Sequence, residues 1–263
     1  MGILITGKIN ETLVCNNILN KIEIKDKVNT SHEWIENITD KKLYDDINKL
    51  KESKSIMKKL KKIYPKQKCK IINVKEMDEI YISIPPKKID NYIDGNKTLF
   101  MRHIDCISPF FNVYVYRIII QLTPKTNIIT CFPNKTQAIQ LDTNLFVGFD
   151  FNNEEHYVSG YLKPNEHRIL LKFHYIIAPI NFSKEYLDIV YKYNKYYEYL
   201  LRAITNYSTN PTNTKKILSS NIQIYTTMLR IHLKFICFVM IMMIISYKIG
   251  KNTNFIKKIC YNK

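Results

Sequence analysis

Three residues at two places in the chain could hold a divalent metal. "RHIDC" sets His103 and Asp105 two residues apart at the end of an apolar and aromatic run. In an extended chain, residues i and i+2 point to the same face, so this imidazole and this carboxylate can converge on one ion. His156 follows about fifty residues later, where "GFDFNNEEHYV" passes from one apolar run through an acidic, amide-rich turn into another. Two neutral imidazoles and one hard carboxylate on one face of an octahedron suit Fe(II) and leave three positions open. Taken singly, each of these residues reads equally well as a turn aspartate or a satisfied surface histidine. Only the combination points to a metal.

The same region offers cations for an acidic cosubstrate. Arg168 follows His156 by about twelve residues and opens "RILLKFHYII". Its guanidinium fork can hold a carboxylate through two parallel hydrogen bonds. Strand alternation puts Lys172 on the face of Arg168, as a second candidate. Arg117, in "VYVYRIII", is a third cation on a strand that reads as buried, where a charge needs a partner. His167 reads as a turn residue. His174 reads as a structural strand histidine that lines the same face as Lys172.

The His-x-Asp pair, the distal histidine after an apolar strand and the arginine beyond it resemble the Fe(II)/2-oxoglutarate-dependent dioxygenases. Within that superfamily, "NLFVGFDFNNEEHYV" followed by "RILLKFHYIIAP" resembles the aspartyl/asparaginyl β-hydroxylase branch. The resemblance spans residues 98–179. It implies a double-stranded β-helix, a jelly roll with the metal at its mouth. It implies Fe(II) and 2-oxoglutarate as cofactors, His103, Asp105 and His156 as metal ligands, and Arg168 on the far carboxylate of 2-oxoglutarate. No catalytic residue beyond the ligands is expected. The implied reaction couples oxidative decarboxylation of 2-oxoglutarate to hydroxylation of a protein side chain or a small molecule. A second reading stays open, in which a non-catalytic jelly-roll protein binds a partner while tethered to a membrane.

The elements that must position these residues can be read from punctuation and period. About eight short β-branched and aromatic runs, from "KIINV" to "RILLKFHYII", lie between residues 70 and 178, with no helical pattern alternating between them. This predicts a mainly β fold with flanking helices, and a jelly-roll core over residues 68–182. Residues 1–67 read as a helical, Lys-rich region. In it Ser31 of "SHEWIENI" is a candidate N-cap, and Leu43, Ile47, Leu50, Ile56 and Leu60 form roughly one apolar stripe. Residues 183–205 predict a packing helix, residues 206–216 a polar linker, and residues 217–263 an apolar C-terminal helix.

The C-terminal segment contains "FICFVMIMMIISY", an uncharged run of 13 residues. As a helix it would span about 20 Å, short of the roughly 30 Å of a bilayer's hydrocarbon core. Lys234 and Lys248 can extend it by snorkelling to both interfaces. Residues 228–249 therefore predict a single-pass membrane anchor, with a buried C-terminal helix as the alternative.

Composition narrows the remaining choices. Forty-six per cent hydrophobic residues in 263 supply a sizeable core. The net charge of +17 could attract a polyanion. The chain is also rich in Ile, Asn and Tyr and holds only 6 Gly, so the lysines read mainly as solvated surface and nucleic acid is not expected as a partner. Six cysteines without a Cys-x-x-Cys pair point to free thiols in a reducing, intracellular compartment. No Gly-rich phosphate loop, Gly-x-Ser-x-Gly or His-Glu-x-x-His occurs.

Overall fold

The computed structural model describes residues 3–22, 31–63, 68–84, 98–106, 110, 112–160, 162–163 and 165–208. They form eleven strands and four α-helices. In chain order these are β1 (Ile5–Lys8), α1 (Thr12–Lys21), β2 (Ser31–Trp34), α2 (Lys41–Lys51), α3 (Lys54–Leu60), β3 (Cys69–Asn73), β4 (Glu79–Ser83) and β5 (Thr98–His103). They continue as β6 (Tyr114–Gln121), β7 (Ile129–Phe132), β8 (Gln137–Ile139), β9 (Leu145–Asp150), β10 (His156–Ser159), β11 (Arg168–Pro179) and α4 (Lys184–Ser208).

Two antiparallel sheets carry the fold. The larger has the order β1-β9-β6-β11-β4-β2, with β3 also paired to β11 beyond the end of β4. The smaller has the order β5-β10-β7-β8. From β4 to β11 the chain passes repeatedly between the sheets, with only β7 and β8 adjacent within one. This alternation makes a mainly β, jelly-roll-like sandwich.

The period of two separates the faces of the larger sheet. Ile80, Ile82, Ile118, Ile120, Ile169, Leu171 and Phe173 form one apolar core with helix residues such as Ile18, Ile47, Leu50 and Ile56. Each such side chain contributes about 1.5–3 kcal/mol by leaving water. The alternate residues face the smaller sheet, where Tyr81, Ile119, Val147, Phe149 and Leu170 cluster with Phe132. β11 is buried along its whole length, yet its inward series carries Arg168, Lys172 and His174 between apolar residues such as Leu170. That series places two cations and an imidazole inside the sandwich.

The N-terminal region differs from the helical expectation. Ser31 caps no helix: Ser31–Trp34 is an edge strand paired with β4. His32 tilts against Tyr81, Trp34 meets Tyr199 edge-on, and His32 Nδ1 lies 3.0 Å from Glu79 Oε2. Those tertiary partners outweigh a weak local capping signal. Ile5–Lys8 is likewise a strand, seated on β9. The single stripe over Leu43–Leu60 is split between two helices, because the Ser53 side chain accepts from Ile56 N and starts α3 afresh.

At the other end, α4 continues through Ser208, into the stretch expected as linker. Among the described residues no helix is long and apolar enough to cross a membrane. The anchor expected over residues 228–249, and the whole of residues 217–263, lie outside the described residues.

Candidate metal centre

His103 and His156 meet because of strand register. β5 and β10 are antiparallel, and the two histidines are directly opposed across the pair. Their rings are 4.5 Å apart at the centroids, as expected for side chains on one face of neighbouring strands. Asp105, just past β5, completes the group. Its Oδ1 is 3.5 Å from His103 Nε2 and its Oδ2 is 3.7 Å from His156 Nε2. One ligand atom from each residue lies within 4.8 Å of the others. The structure thus brings together the three residues that the sequence pointed to as ligands.

Hydrogen bonding orients the group. His156 Nδ1 is 3.3 Å from the carbonyl oxygen of Glu154. A carbonyl only accepts, so Nδ1 carries the proton and Nε2 keeps its lone pair toward Asp105. Burial pushes the His156 pKa down to about 4, against the opposing pull of Asp105. The imidazole is therefore neutral near pH 7. Phe149 and Phe132 lie against its ring, at 4.6 and 6.0 Å between centroids.

Burial alone would raise the Asp105 pKa. The charge of Arg117, with the two imidazoles, outweighs burial and holds this carboxyl well below the usual carboxylate range. Its Oδ2 is shielded from water and forms no well-aligned hydrogen bond, although Arg117 Nη1 lies 2.8 Å away. An anionic oxygen with unused lone pairs, beside two imidazole nitrogens, fits a divalent cation.

Arg117 does different work from the cosubstrate binding expected of it. Nη1 meets Asp105, Nη2 donates to Glu198 Oε1 at 2.9 Å, and Nε donates to His174 Nε2 at 2.9 Å. The guanidinium also lies over the Phe151 ring, 4.4 Å from its centroid. The fork is thus committed to protein groups. An acceptor Nε2 puts the His174 proton on Nδ1, which faces Asp78 Oδ1 at 3.6 Å. Lys172 is also committed, with its Nζ 2.6 Å from Glu79 Oε1 and 4.3 Å from the centre of the Tyr81 ring.

Arg168 differs from both. It is buried on the same inward series, with Nε donating to Gln121 Oε1 at 2.9 Å. The Gln121 amide donates to the carbonyls of Thr123 and Pro124, which fixes its oxygen toward Arg168. Among the described residues no carboxylate pairs with Arg168. Burial pushes its pKa down to about 10, the mark of a charge short of counter-charge. It lies six residues along β11 from His174, the register partner of Arg117.

Glu198, Gln121 and Glu79 are the site residues that the sequence reading missed. Glu198 carried a signal. Among the described side chains of α4, Leu187, Val190, Asn194 and Glu198 are the buried ones and recur at helical spacing, so its apolar stripe turns polar where it passes the site.

No protein-family model and no curated protein sequence matches the chain. Solved structures do match, at low identity. One is the viral collagen prolyl hydroxylase vCPH of Paramecium Bursaria Chlorella virus-1 in its 2OG complex. It is 13% identical, with a TM-score of 0.40, over 66% of this chain and 95% of that chain. Another is the epimerase SnoN in complex with Fe3+, alpha ketoglutarate and nogalamycin RO. It is 10% identical, with a TM-score of 0.45, over 68% of this chain and 81% of that chain. A third is an oxidoreductase of the 2OG-Fe(II) oxygenase family from Burkholderia pseudomallei. It is 11% identical, with a TM-score of 0.42, over 62% of this chain and 77% of that chain.

Proposed function

We propose that this chain is an Fe(II)/2-oxoglutarate-dependent oxygenase that hydroxylates a protein side chain or a small molecule. One observation carries the reading: His103, Asp105 and His156 converge inside a jelly-roll-like sandwich, with their ligand atoms within 4.8 Å of one another. The passage of β4 to β11 between two sheets supports the finer reading of a double-stranded β-helix. The aspartyl/asparaginyl β-hydroxylase branch rests on the sequence pattern around His156 alone.

His103, Asp105 and His156 would hold the iron, an open facial set with room for further ligands. When bound, Fe(II) and 2-oxoglutarate supply the activation of O₂, with succinate and CO₂ as the by-products of hydroxylation. The chain's own residues prepare for this. The Glu154 carbonyl sets the His156 tautomer, Arg117 keeps Asp105 ionised, and Phe132 and Phe149 shield one ring from water. Arg168 would take the far carboxylate of 2-oxoglutarate and gain its missing counter-charge.

The reading is tested on the full chain, purified anaerobically in mild detergent, by Fe(II) titration and by succinate formation from 2-oxoglutarate. Stoichiometric Fe(II) binding with turnover is expected. A folded chain that does neither is the non-catalytic jelly-roll protein. Intracellular membrane tethering through residues 228–249 is a separate proposal resting on the apolar run. Deleting residues 228–263 should release the protein from the membrane fraction, and a full chain already soluble after lysis would refute it.

A further inference from the structure

We infer that Glu198 of α4 is a positioning residue for the metal centre, acting through Arg117 on Asp105; this rests on the metal-site reading above. Arg117 is one cation serving two inward carboxylates, Asp105 Oδ2 at 2.8 Å and Glu198 Oε1 at 2.9 Å. A guanidinium is planar and rigid, so fixing two of its nitrogens aims the third. His174 takes Nε and Glu198 takes Nη2, which leaves Nη1 held against Asp105.

Charge counting gives the same role. Asp105 and Glu198 set two carboxylates against the one guanidinium of Arg117, a formal sum of one negative charge. Without Glu198 the formal sum is zero, and an incoming divalent cation would meet a guanidinium offset by Asp105 alone. In a shielded site such a repulsion is far stronger than in water. A second contact on the same helix supports this role. One turn before Glu198, Asn194 Oδ1 accepts from the thiol of Cys106 at 3.5 Å, and Asn194 Nδ2 donates to Val190 O at 2.8 Å. α4 therefore grips Asp105 twice, through its chain neighbour Cys106 and through the Arg117 fork. A helix beyond the last strand becomes part of the metal centre.

The test uses the full chain carrying Glu198→Gln, which keeps the shape and removes the charge. Co(II) serves as the probe, followed by calorimetry and by its visible d–d absorption. Glu198→Gln should lower Co(II) affinity by roughly 10–100-fold, the usual effect of losing a partner that orients a ligand. It should also shift the d–d bands at saturation, and Glu198→Asp should restore part of both. Wild-type affinity and an unchanged spectrum in a folded Glu198→Gln chain would overturn the inference. If Glu198→Gln loses its cooperative urea transition, Glu198→Asp decides: displaced bands support the role, and unchanged bands and affinity refute it. Failure of the metal-site reading looks different, since the wild-type chain itself would then bind no Co(II).

Discussion

The inward cations meet two different answers to the problem of burial. Arg117 and Lys172 have carboxylate partners, whereas Arg168 has an amide. A buried charge without a counter-charge is costly, and the cost falls when an anion arrives. Arg168→Met should therefore weaken 2-oxoglutarate binding at least about tenfold, the loss of a bidentate charged pair, while Mn(II) affinity stays at the wild-type value in calorimetry. Equal loss of both ligands would show that the variant had simply misfolded. His156→Ala removes an Nε2 lone pair that the Glu154 carbonyl has already aimed. Its Mn(II) affinity should fall below detection with the circular dichroism unchanged, and retained affinity would take His156 out of the site. The candidate ligands could be singled out because type and spacing point to the chemistry, although Asp105 reaches His103 from just past the end of β5 rather than by strand alternation. Glu198 was not legible as a site residue, since helical spacing says that it is buried but not what it is buried against.

Elements explain which expectations the fold changed. "SHEW" became β2 because β4 offers it a ladder and Tyr81 offers it an aromatic face, two partners that local capping cannot rival. The short N-terminal run became β1 for a similar reason, and Gly148 is the residue that admits it. A Cβ on Gly148 would come 2.3 Å from Ile118 Cδ1 and 2.8 Å from Ile5 Cγ1. Gly148→Val should overpack this layer and cost about 1–3 kcal/mol, read from urea unfolding. A stability equal to wild type would mean that β1 is not seated on β9 as described. β10 is a shorter element with a larger consequence. Only four residues long, it sits between β5 and β7, and its pairing with β5 puts His156 opposite His103. The start of β11 after the turn brings Arg168 to the inner face.

Across the whole molecule, a polar path links the outer helices to the candidate metal centre. Lys51, at the end of α2, lies 2.5 Å from Asp78 Oδ2, and Asp78 Oδ1 accepts from His174 N at 2.8 Å. His174 in turn accepts from Arg117. Lys51→Met would strand Asp78 and should cost about 3–5 kcal/mol in urea unfolding; a cost near zero would show the pair to be dispensable. The same pair predicts a pH dependence. Burial, only partly offset by Lys51 and by the His174 N–H, raises Asp78 to about 7, while burial lowers Lys51. A folded pKa above the unfolded value of about 3.9 means that the folded state keeps its proton longer. The stability from this group is then full below about pH 4 and is lost as pH rises through about 7. Asp78→Asn keeps the acceptor for His174 N and should remove that decline, so the variant should gain on wild type between pH 4 and pH 7. Parallel stability curves would exclude Asp78 as the titrating group.

Period, punctuation and residue type were enough to determine a mainly β chain with helical flanks, a His-x-Asp pair, a distal histidine, and an arginine sharing a face with Lys172. These are local properties, set by where successive side chains point along an extended backbone. The tertiary structure alone decided which cation remains short of a counter-charge, that Arg117 serves Asp105 and Glu198, and that β1 and β2 extend the larger sheet. Those outcomes depend on pairings between residues far apart in the chain, such as Arg117 with Glu198 and His32 with Glu79. No local spacing encodes them, because the free energy of a buried charge depends on what the fold places beside it.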